Sequence, residues 1–355
     1  MSWLYELGMD IRNWMFEKGY KKQVSFEDQV AVICVGNVAV GGTGKTPHIE
    51  YLIRLLQKHN IGPIAVLSRG YKRQSHGFVL AGKEKTATQL GDESYQLHRK
   101  FPDVIVAVDE KRVRGIRELL KLENKPKVIL LDDAFQHRYV KPGLSIVLTS
   151  YTRIIYKDMV LPAGRLRESQ EGVKRADLLV VTKCPNALRE EEITELHAKL
   201  PTRLDQPIFY SAYRYANLVN LETNLPEVID PTSQVLVLAG IADPSVLQSY
   251  VQKHFRLLDM LTYDDHHHFS NKDIKHIQER LEGLNEMGYC SQTAASSTII
   301  ITTEKDAARL VDHPALTTEL RSRIYYLPTE VYFLKNQEEK IDKIVLNYVN
   351  KERKG

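Results

Sequence analysis

Cysteine is scarce in this chain of 355 residues. There are three, Cys34, Cys184 and Cys290, far apart, odd in number and outside any C-x-x-C spacing. That excludes a disulfide framework and a cysteine zinc site, and fits a reducing compartment. Long apolar runs are absent: no stretch of 18 apolar residues exists, so no transmembrane helix is expected. The opening "MSWLYELGMDIRNWMF" has acidic residues in its first ten positions and no long apolar core, so no signal peptide is expected. Charge of one sign is not in excess either. A net charge of +4 gives no reason to expect nucleic acid as a partner. No internal repeat and no low-complexity tract stands out. What remains, 43% hydrophobic and 26% charged residues, is the composition of a folded globular protein with one large or two ordinary domains.

The first 22 residues have helical periodicity. Trp3, Leu4, Leu7, Ile11, Trp14 and Met15 recur on one face, and Lys18, Lys21 and Lys22 follow. From about residue 30 the pattern becomes strand, helix, strand. The runs "VAVICVG", "IGPIAVLS", "VIVAV", "KVILLDD", "LSIVLTS" and "LLVVTK" are continuously apolar instead of alternating. Such strands are buried on both faces, which predicts a parallel sheet with helices on either side. A second alternation begins near residue 234 with "QVLVLAGI" and "STIIITTEKD". Two extended segments, "PIFYSAYRYANL" and "SRIYYLPTEVYFL", flank it and can pair as a two-stranded connection. The expected organisation is a first α/β domain over residues 1–206, a linker of 207–220 and 322–334, a smaller α/β domain over 221–321, and a final helix over 335–355.

The most informative stretch is "VGNVAVGGTGKTPH". Laid on the pattern G-x-x-x-x-G-K-[ST], it places Gly44, Lys45 and Thr46 correctly but puts Ala39 where the first glycine belongs. Gly41, Gly42 and Gly44 still supply the unusual backbone conformations. Pro47 is harmless in a first helical turn, where its missing N–H has no partner to lose. A strand precedes the turn and a helix follows it, so the turn amides and the helix dipole converge on an anion. Gly41, Gly42, Thr43, Gly44, Lys45 and Thr46 are therefore the expected nucleotide contacts, with Lys45 on the β- and γ-phosphates and Thr46 on Mg²⁺. "KVILLDDAFQHR" ends a buried strand in Asp132 and Asp133, and a carboxylate at that point holds Mg²⁺ directly or through water.

The kind of phosphate-loop protein can be narrowed. A GTPase needs [NT]-K-x-D, and "VVTKCPN" puts Pro185 at the aspartate position. No D-x-x-G follows Asp132. A partitioning-type ATPase carries a second lysine where Val40 stands. A metabolic kinase gains from both departures, against a nucleotide-driven switch acting on a protein partner.

In order along the chain, "GNVAVGGTGKTP", "LSRGYKR", "GDESYQL", "LLDDAFQHR", "LPAGRLRES", "DDHHHFS" and "TTEKD" resemble the motifs of the tetraacyldisaccharide 4′-kinases of lipid A synthesis, the LpxK family. These segments span residues 36–306. That family's loop also lacks the first glycine. Two positions differ from its usual pattern: Arg165, where proline is common, and Ala134, where glycine is usual. The resemblance implies a P-loop NTPase (RecA-like) α/β/α sandwich with a smaller second α/β domain that closes over ATP. It implies transfer of the ATP γ-phosphate to the 4′-hydroxyl of a tetraacyldisaccharide 1-phosphate lipid, at the cytoplasmic face of the inner membrane, by a peripheral protein.

Several side chains suit that chemistry. Arg69 in "SRGY" and Arg167 in "LRES" can offset charge on the transferring phosphoryl group, and Glu168 can add a Mg²⁺ contact. An alcohol acceptor profits from a base. "GDES" offers Asp92 and Glu93; "YDDHHHFS" offers Asp264, Asp265 and three histidines, His266, His267 and His268, and an aspartate beside a histidine tunes the imidazole. The family's acidic residue maps onto Asp92 and its Asp–His motif onto Asp265 and His266, so Asp92 and His266 are the expected base pair. His137 is either a structural histidine or a phosphate contact. The N-terminal helix can lay its Trp and Leu side chains in the acyl boundary with lysines toward the headgroups, or it can pack on the sheet.

Overall fold

A computed structural model describes residues 2–82, 84–241, 243–265, 267–285 and 298–351. The chain forms two compact units, Met1–Arg214 with Glu330–Gly355, and Tyr215–Thr329. Among the described residues no helix is long and apolar enough to cross a membrane.

The larger unit is built on a nine-stranded sheet, counted over the described residues. Its centre is the strand Ala31–Asn37, every residue of which is buried. This strand runs parallel to Val128–Asp132 on one side and to Leu144–Ser150 on the other. Beyond Val128–Asp132 lie Ile64–Ser68, Ile105–Val108 and, antiparallel at the edge, Val79–Leu80. Beyond Leu144–Ser150 lie Leu178–Thr182 and Ile208–Tyr215, both parallel, then Thr329–Phe333.

Successive side chains of a strand point to opposite faces, and here each face has its own core. Ala31, Ile33 and Val35 join Ile49, Leu52, Ile53 and Leu56 of the helix Lys45–Lys58, with Ile341, Val345 and Val349 of the helix Glu338–Lys351. Val32 and Cys34 join Ile116 and Leu119 of the helix Arg112–Leu119. Burial on both sides is why these strands are continuously apolar. Truncating a fully buried side chain such as Ile53 to alanine is expected to cost about 2–5 kcal/mol.

The chain leaves the larger unit at the end of Ile208–Tyr215 and returns in Thr329–Phe333, and these two strands are neighbours in the sheet. The smaller unit has its own sheet, six-stranded over the described residues. Arg256–Thr262, Gln234–Ala239, Ile299–Thr303 and Ile324–Leu327 are parallel, and Leu218–Asn220 and Pro226–Glu227 add antiparallel pairs. Val235, Val237, Ala239 and Ile301 pack on Leu247 and Val251 of the helix Ser245–His254.

Candidate active site

The glycine-rich loop follows the central strand, at the carboxyl end of the parallel sheet where open α/β folds bind ligands. Gly41 (φ +112°) and Gly44 (φ +88°) lie in the left-handed half of backbone space. At Gly44 a Cβ would also fall 1.8 Å from the Tyr213 hydroxyl, so no other residue fits. The end of its own strand and the end of the strand Leu178–Thr182 latch the loop. Asn37 Nδ2 donates to Thr43 Oγ1 at 2.8 Å, and Thr182 Oγ1 donates to the Thr43 carbonyl at 2.8 Å. The helix Lys45–Lys58 then starts without a side-chain cap, which leaves first-turn amides and the positive end of its dipole for an anion.

His48 supports the loop from behind. Its Nδ1 lies 2.7 Å from the Gly44 carbonyl, which can only accept, and its Nε2 lies 3.0 Å from Ser211 Oγ. The ring therefore carries its proton on Nδ1. Burial pushes its pKa down to about 4, so the imidazole is neutral at ordinary pH.

A second segment is laid against the start of the loop. Val40 N–H donates to the Arg165 carbonyl and Arg167 N–H to the Val38 carbonyl, both at 2.7 Å. This antiparallel bridge, Ala39 opposite Leu166, carries Arg167 to the site.

The strand Val128–Asp132 delivers two carboxylates with different surroundings. Asp132 is buried, and its Oδ1 has no hydrogen-bond partner among the described residues. Burial, and after it the charge of Glu93, push its pKa up to about 7 against the opposing pull of Lys45. Asp133 has a positive φ of 48°, which turns its side chain out of the strand's register. Its Oδ1 lies 3.7 Å from Lys45 Nζ and 3.0 Å from Arg167 Nη1. Below both, the buried Arg112 donates to the carbonyls of Asp109, Asp132 and Asp133 at 3.0, 3.3 and 3.4 Å and so fixes the turn.

The loop residues, Lys45, Thr46, Asp132 and Arg167 thus gather at the carboxyl end of the central strands. Asp92 and Glu93 head the helix Asp92–Lys100. That helix is anchored by the Ser94 and Ser68 hydroxyls, 2.6 Å apart, at the end of the strand Ile64–Ser68. Arg69, the next residue, is exposed and within electrostatic range of Arg112 and His137. His137 is held down to about pKa 4 by burial and then by Arg112, Arg12 and Arg69, which makes it a neutral ring among cations.

Glu168, expected at the metal, is 1% exposed. Its carboxylate is taken up by Arg175 at 2.7 Å, Gln136 Nε2 at 3.0 Å and Asn13 Nδ2 at 3.3 Å. His266 lies outside the described residues. Its neighbour His267 stacks on Tyr263 at 4.6 Å and meets Asp273 Oδ2 at 3.1 Å. Asp273 also completes the capping box of the helix Asn271–Leu284.

Sequence reasoning passed over the bridging role of Asp133, although its place beside Asp132 was visible. It had no signal for Arg112, or for the His48–Ser211 and Tyr213 support behind the loop. These join residues distant in the chain.

The N-terminal helix Ser2–Glu17 packs through its polar side. Ser2 Oγ accepts from Ala163 N–H (3.1 Å), Tyr5 Oη donates to the Arg167 carbonyl (3.2 Å), and Arg12 Nη2 donates to the Gln136 carbonyl (2.8 Å). Arg138 Nη1 donates to the Asn13 carbonyl at 3.0 Å. Phe16 is its buried apolar residue, whereas Trp3 (65% exposed), Leu4, Leu7, Ile11 and Trp14 (48%) face outward. An apolar stripe on the outside is the reverse of ordinary helix packing.

Comparison with known proteins places this geometry. Residues 1–350 match the family model described as LpxK, tetraacyldisaccharide-1-P 4′-kinase. The tetraacyldisaccharide 4′-kinase of Bacteroides thetaiotaomicron is 45% identical, over 98% of this chain and 92% of its own length. That of Flavobacterium johnsoniae is 45% identical over 98% and 94%. Among solved structures, LpxK from Aquifex aeolicus, described as an "apo" form in complex with ATP, superposes with a TM-score of 0.73 at 27% identity. It covers 98% of this chain and 97% of that one.

Proposed function

The chain belongs to the LpxK family, the tetraacyldisaccharide-1-phosphate 4′-kinases, and from that premise we propose how its residues divide the work. It is an α/β P-loop enzyme that transfers a phosphoryl group from ATP to the 4′-hydroxyl of a tetraacyldisaccharide 1-phosphate. One observation carries the assignment of roles: Lys45, Asp133 and Arg167 form a single charge chain beside the loop.

In this reading the loop amides of residues 41–46 bind the triphosphate. Lys45, resting at 3.7 Å from Asp133, transfers its charge to the β- and γ-phosphates when ATP arrives. Arg167 lies on the other side of Asp133 and offsets charge that develops on the transferring group. The carboxylate between them keeps the two cations apart and oriented.

The residues fit a magnesium ion. The buried Asp132 Oδ1 has no hydrogen-bond partner among the described residues, and Thr46 lies in the first turn of the loop helix; these two would hold it. Bound there, it would neutralise phosphate charge. Glu168 supports the site by holding Gln136 and Arg175. Asp92 and His266 take the proton of the acceptor hydroxyl.

The outward stripe of Trp3, Leu4, Leu7, Ile11 and Trp14 supports a peripheral position on the inner-membrane surface, on its cytoplasmic face. There the helix holds the acyl boundary, and its polar side touches the site through Arg167, Gln136 and Glu168. Residues 207–220 and 322–334 would serve as the two-stranded connection to the smaller unit. The direct test is incubation with γ-labelled ATP and tetraacyldisaccharide 1-phosphate in detergent. Label in a 4′-phosphorylated lipid is expected, and ATP hydrolysis without labelled lipid would overturn the assignment.

A further inference from the structure

The helix Lys45–Lys58 carries an acid to which the chemistry above gives no part. Glu50 sits in its second turn, and its side chain is only 2% exposed. A carboxylate that deep is costly unless it is paired, and here three donors meet it. Arg54 Nη2, one turn further along the same helix, lies 3.3 Å from Oε2. The other two come from the helix Asp92–Lys100. Lys100 Nζ lies 2.7 Å from Oε2, and Gln96 Nε2 donates to Oε1 at 3.4 Å. Gln96 and Lys100 are four residues apart, so they share one face of that helix. Arg54 adds to the same joint, with its guanidinium over the Phe101 ring at 5.5 Å.

The joint lies between two elements that the reaction must hold at a fixed separation. One helix starts with Lys45 and Thr46, the other with Asp92 and Glu93. Apolar packing joins them as well, since Ile49, Leu52 and Ile53 share a core with Leu97 and Phe101. Apolar burial is non-directional, whereas a carboxylate met by two donors from one face fixes the rotation and register of one helix on the other. The second helix is then held at two levels. The Ser94 and Ser68 hydroxyls, 2.6 Å apart, fix its first turn against the sheet. Glu50 fixes its far end against the loop helix. Residues 94 and 100 are roughly 9 Å apart along a helix axis, so the two ties together set the direction in which Asp92 is presented.

We propose that Glu50 is a positioning residue for phosphoryl transfer. It ties the helix that carries Asp92 to the helix that carries Lys45, so that the base stays aimed at an acceptor hydroxyl beside the transferring phosphate. Glu50 acts through Gln96 and Lys100, not on a substrate. This inference rests on the base assigned to Asp92 above and adds the residue that holds that base in place.

The experiment is a double-mutant cycle, measured with ATP and tetraacyldisaccharide 1-phosphate in one detergent on proteins checked by circular dichroism. Glu50→Gln keeps the shape of the side chain and removes the charge that Lys100 answers. It should lower kcat about tenfold, as a small misplacement of a reacting group does. The KM for ATP should hardly move, because the loop keeps its latches at Asn37 and Thr182. In an Asp92→Asn background the same substitution should cost almost nothing, since the base it positions is already gone. An equal loss in both backgrounds would overturn the inference, as would wild-type kcat in Glu50→Gln. A second variant, Glu50→Leu with Lys100→Met, separates positioning from stability. Replacing a buried ion pair by apolar side chains is often neutral for stability, so this protein should melt close to wild type and still show the tenfold loss. Recovery of kcat along with the melting temperature would show that packing alone sets the helix, and would also overturn the inference. Wild-type kcat in Asp92→Asn itself is a different result, which would take down the base reading and not the joint alone.

Discussion

Two regions of the larger unit break the ordinary rule of burial, in opposite directions. At the phosphate loop, polar atoms are buried without hydrogen-bond partners among the described residues: Asp132 Oδ1, Asn37 Oδ1 and the Tyr213 hydroxyl. Along the N-terminal helix, apolar side chains stand outside: Trp3, Leu4, Leu7, Ile11 and Trp14. Each violation costs stability in the isolated protein, and each marks what is missing. The loop wants a charged, hydrogen-bonding ligand, and the helix wants an apolar surface. The two are joined physically, since the polar side of the helix bonds to the backbone of Gln136 and Arg167. A kinase with a soluble donor and a lipid acceptor needs both kinds of unfinished surface.

The sharpest way to separate them is to remove charge from the loop. Lys45→Ala and Asp132→Ala should each lower kcat by about 10³-fold, in the range seen when a preorganised electrostatic interaction is removed. Neither should alter co-sedimentation with anionic vesicles. Near-normal kcat in either folded variant would mean that this loop is not the catalytic one.

A smaller loss is expected from the base. General acid–base catalysis contributes roughly 10²–10⁴-fold, so Asp92→Asn and His266→Ala should each lower kcat about 10²-fold with little change in KM for ATP. The double variant should be little worse than the worse single one, because groups acting as a unit are non-additive. Fully multiplicative losses would mean that the two residues act independently.

The helix side of the comparison predicts the converse pattern. Serine at Trp3, Leu7, Ile11 and Trp14 should release the protein from vesicles and raise KM for lipid presented in micelles by about tenfold. The ATP parameters should hold, since the helix reaches the site through Arg12, Asn13 and Tyr5, which the variant keeps. Unchanged co-sedimentation would leave the stripe without a membrane role.

How far these two regions were legible in the sequence differs for a physical reason. The loop announced itself because backbone conformation limits residue choice: Gly41 and Gly44 must have positive φ. Fully buried strands must be apolar on both faces, so the parallel sheet was visible as well. The helix periodicity was visible, but not which face it would present, because an amphipathic pattern suits a core and a membrane equally. Only its contacts separate the two. The same limit applies at the strand end. The sequence places Asp132 and Asp133 side by side, but the left-handed φ of Asp133 decides that one stays buried while the other bridges Lys45 and Arg167. Glu168 shows the same limit: a carboxylate beside Arg167 suggested a metal contact, and nothing in the sequence pointed to the ion pair with Arg175 that it makes in the fold.

The last prediction tests whether the cost of the unfinished loop is electrostatic. Asp132 ordinarily titrates near 3.8, and in the folded, nucleotide-free protein burial and Glu93 raise it to about 7. Between those values the folded state holds a proton that the unfolded state has released, so stability falls as pH rises. The contribution is fully present below about pH 4 and is lost by the time pH passes 7, with a size on the order of a few kcal/mol. Asparagine has the shape of the carboxyl and never ionises. Asp132→Asn should therefore melt somewhat above wild type at pH 5 and further above it at pH 8, although it is inactive at both. The serine helix variant should keep the wild-type dependence, since its substitutions touch no group near Asp132. Melting curves of the three proteins from pH 5 to 8.5, without nucleotide, measure this directly. A gap between wild type and Asp132→Asn that does not change with pH would show Asp132 already ionised and compensated. In that case the unpartnered oxygen would not be a store of electrostatic strain waiting for a cation, and the contrast between the two regions would reduce to the helix alone.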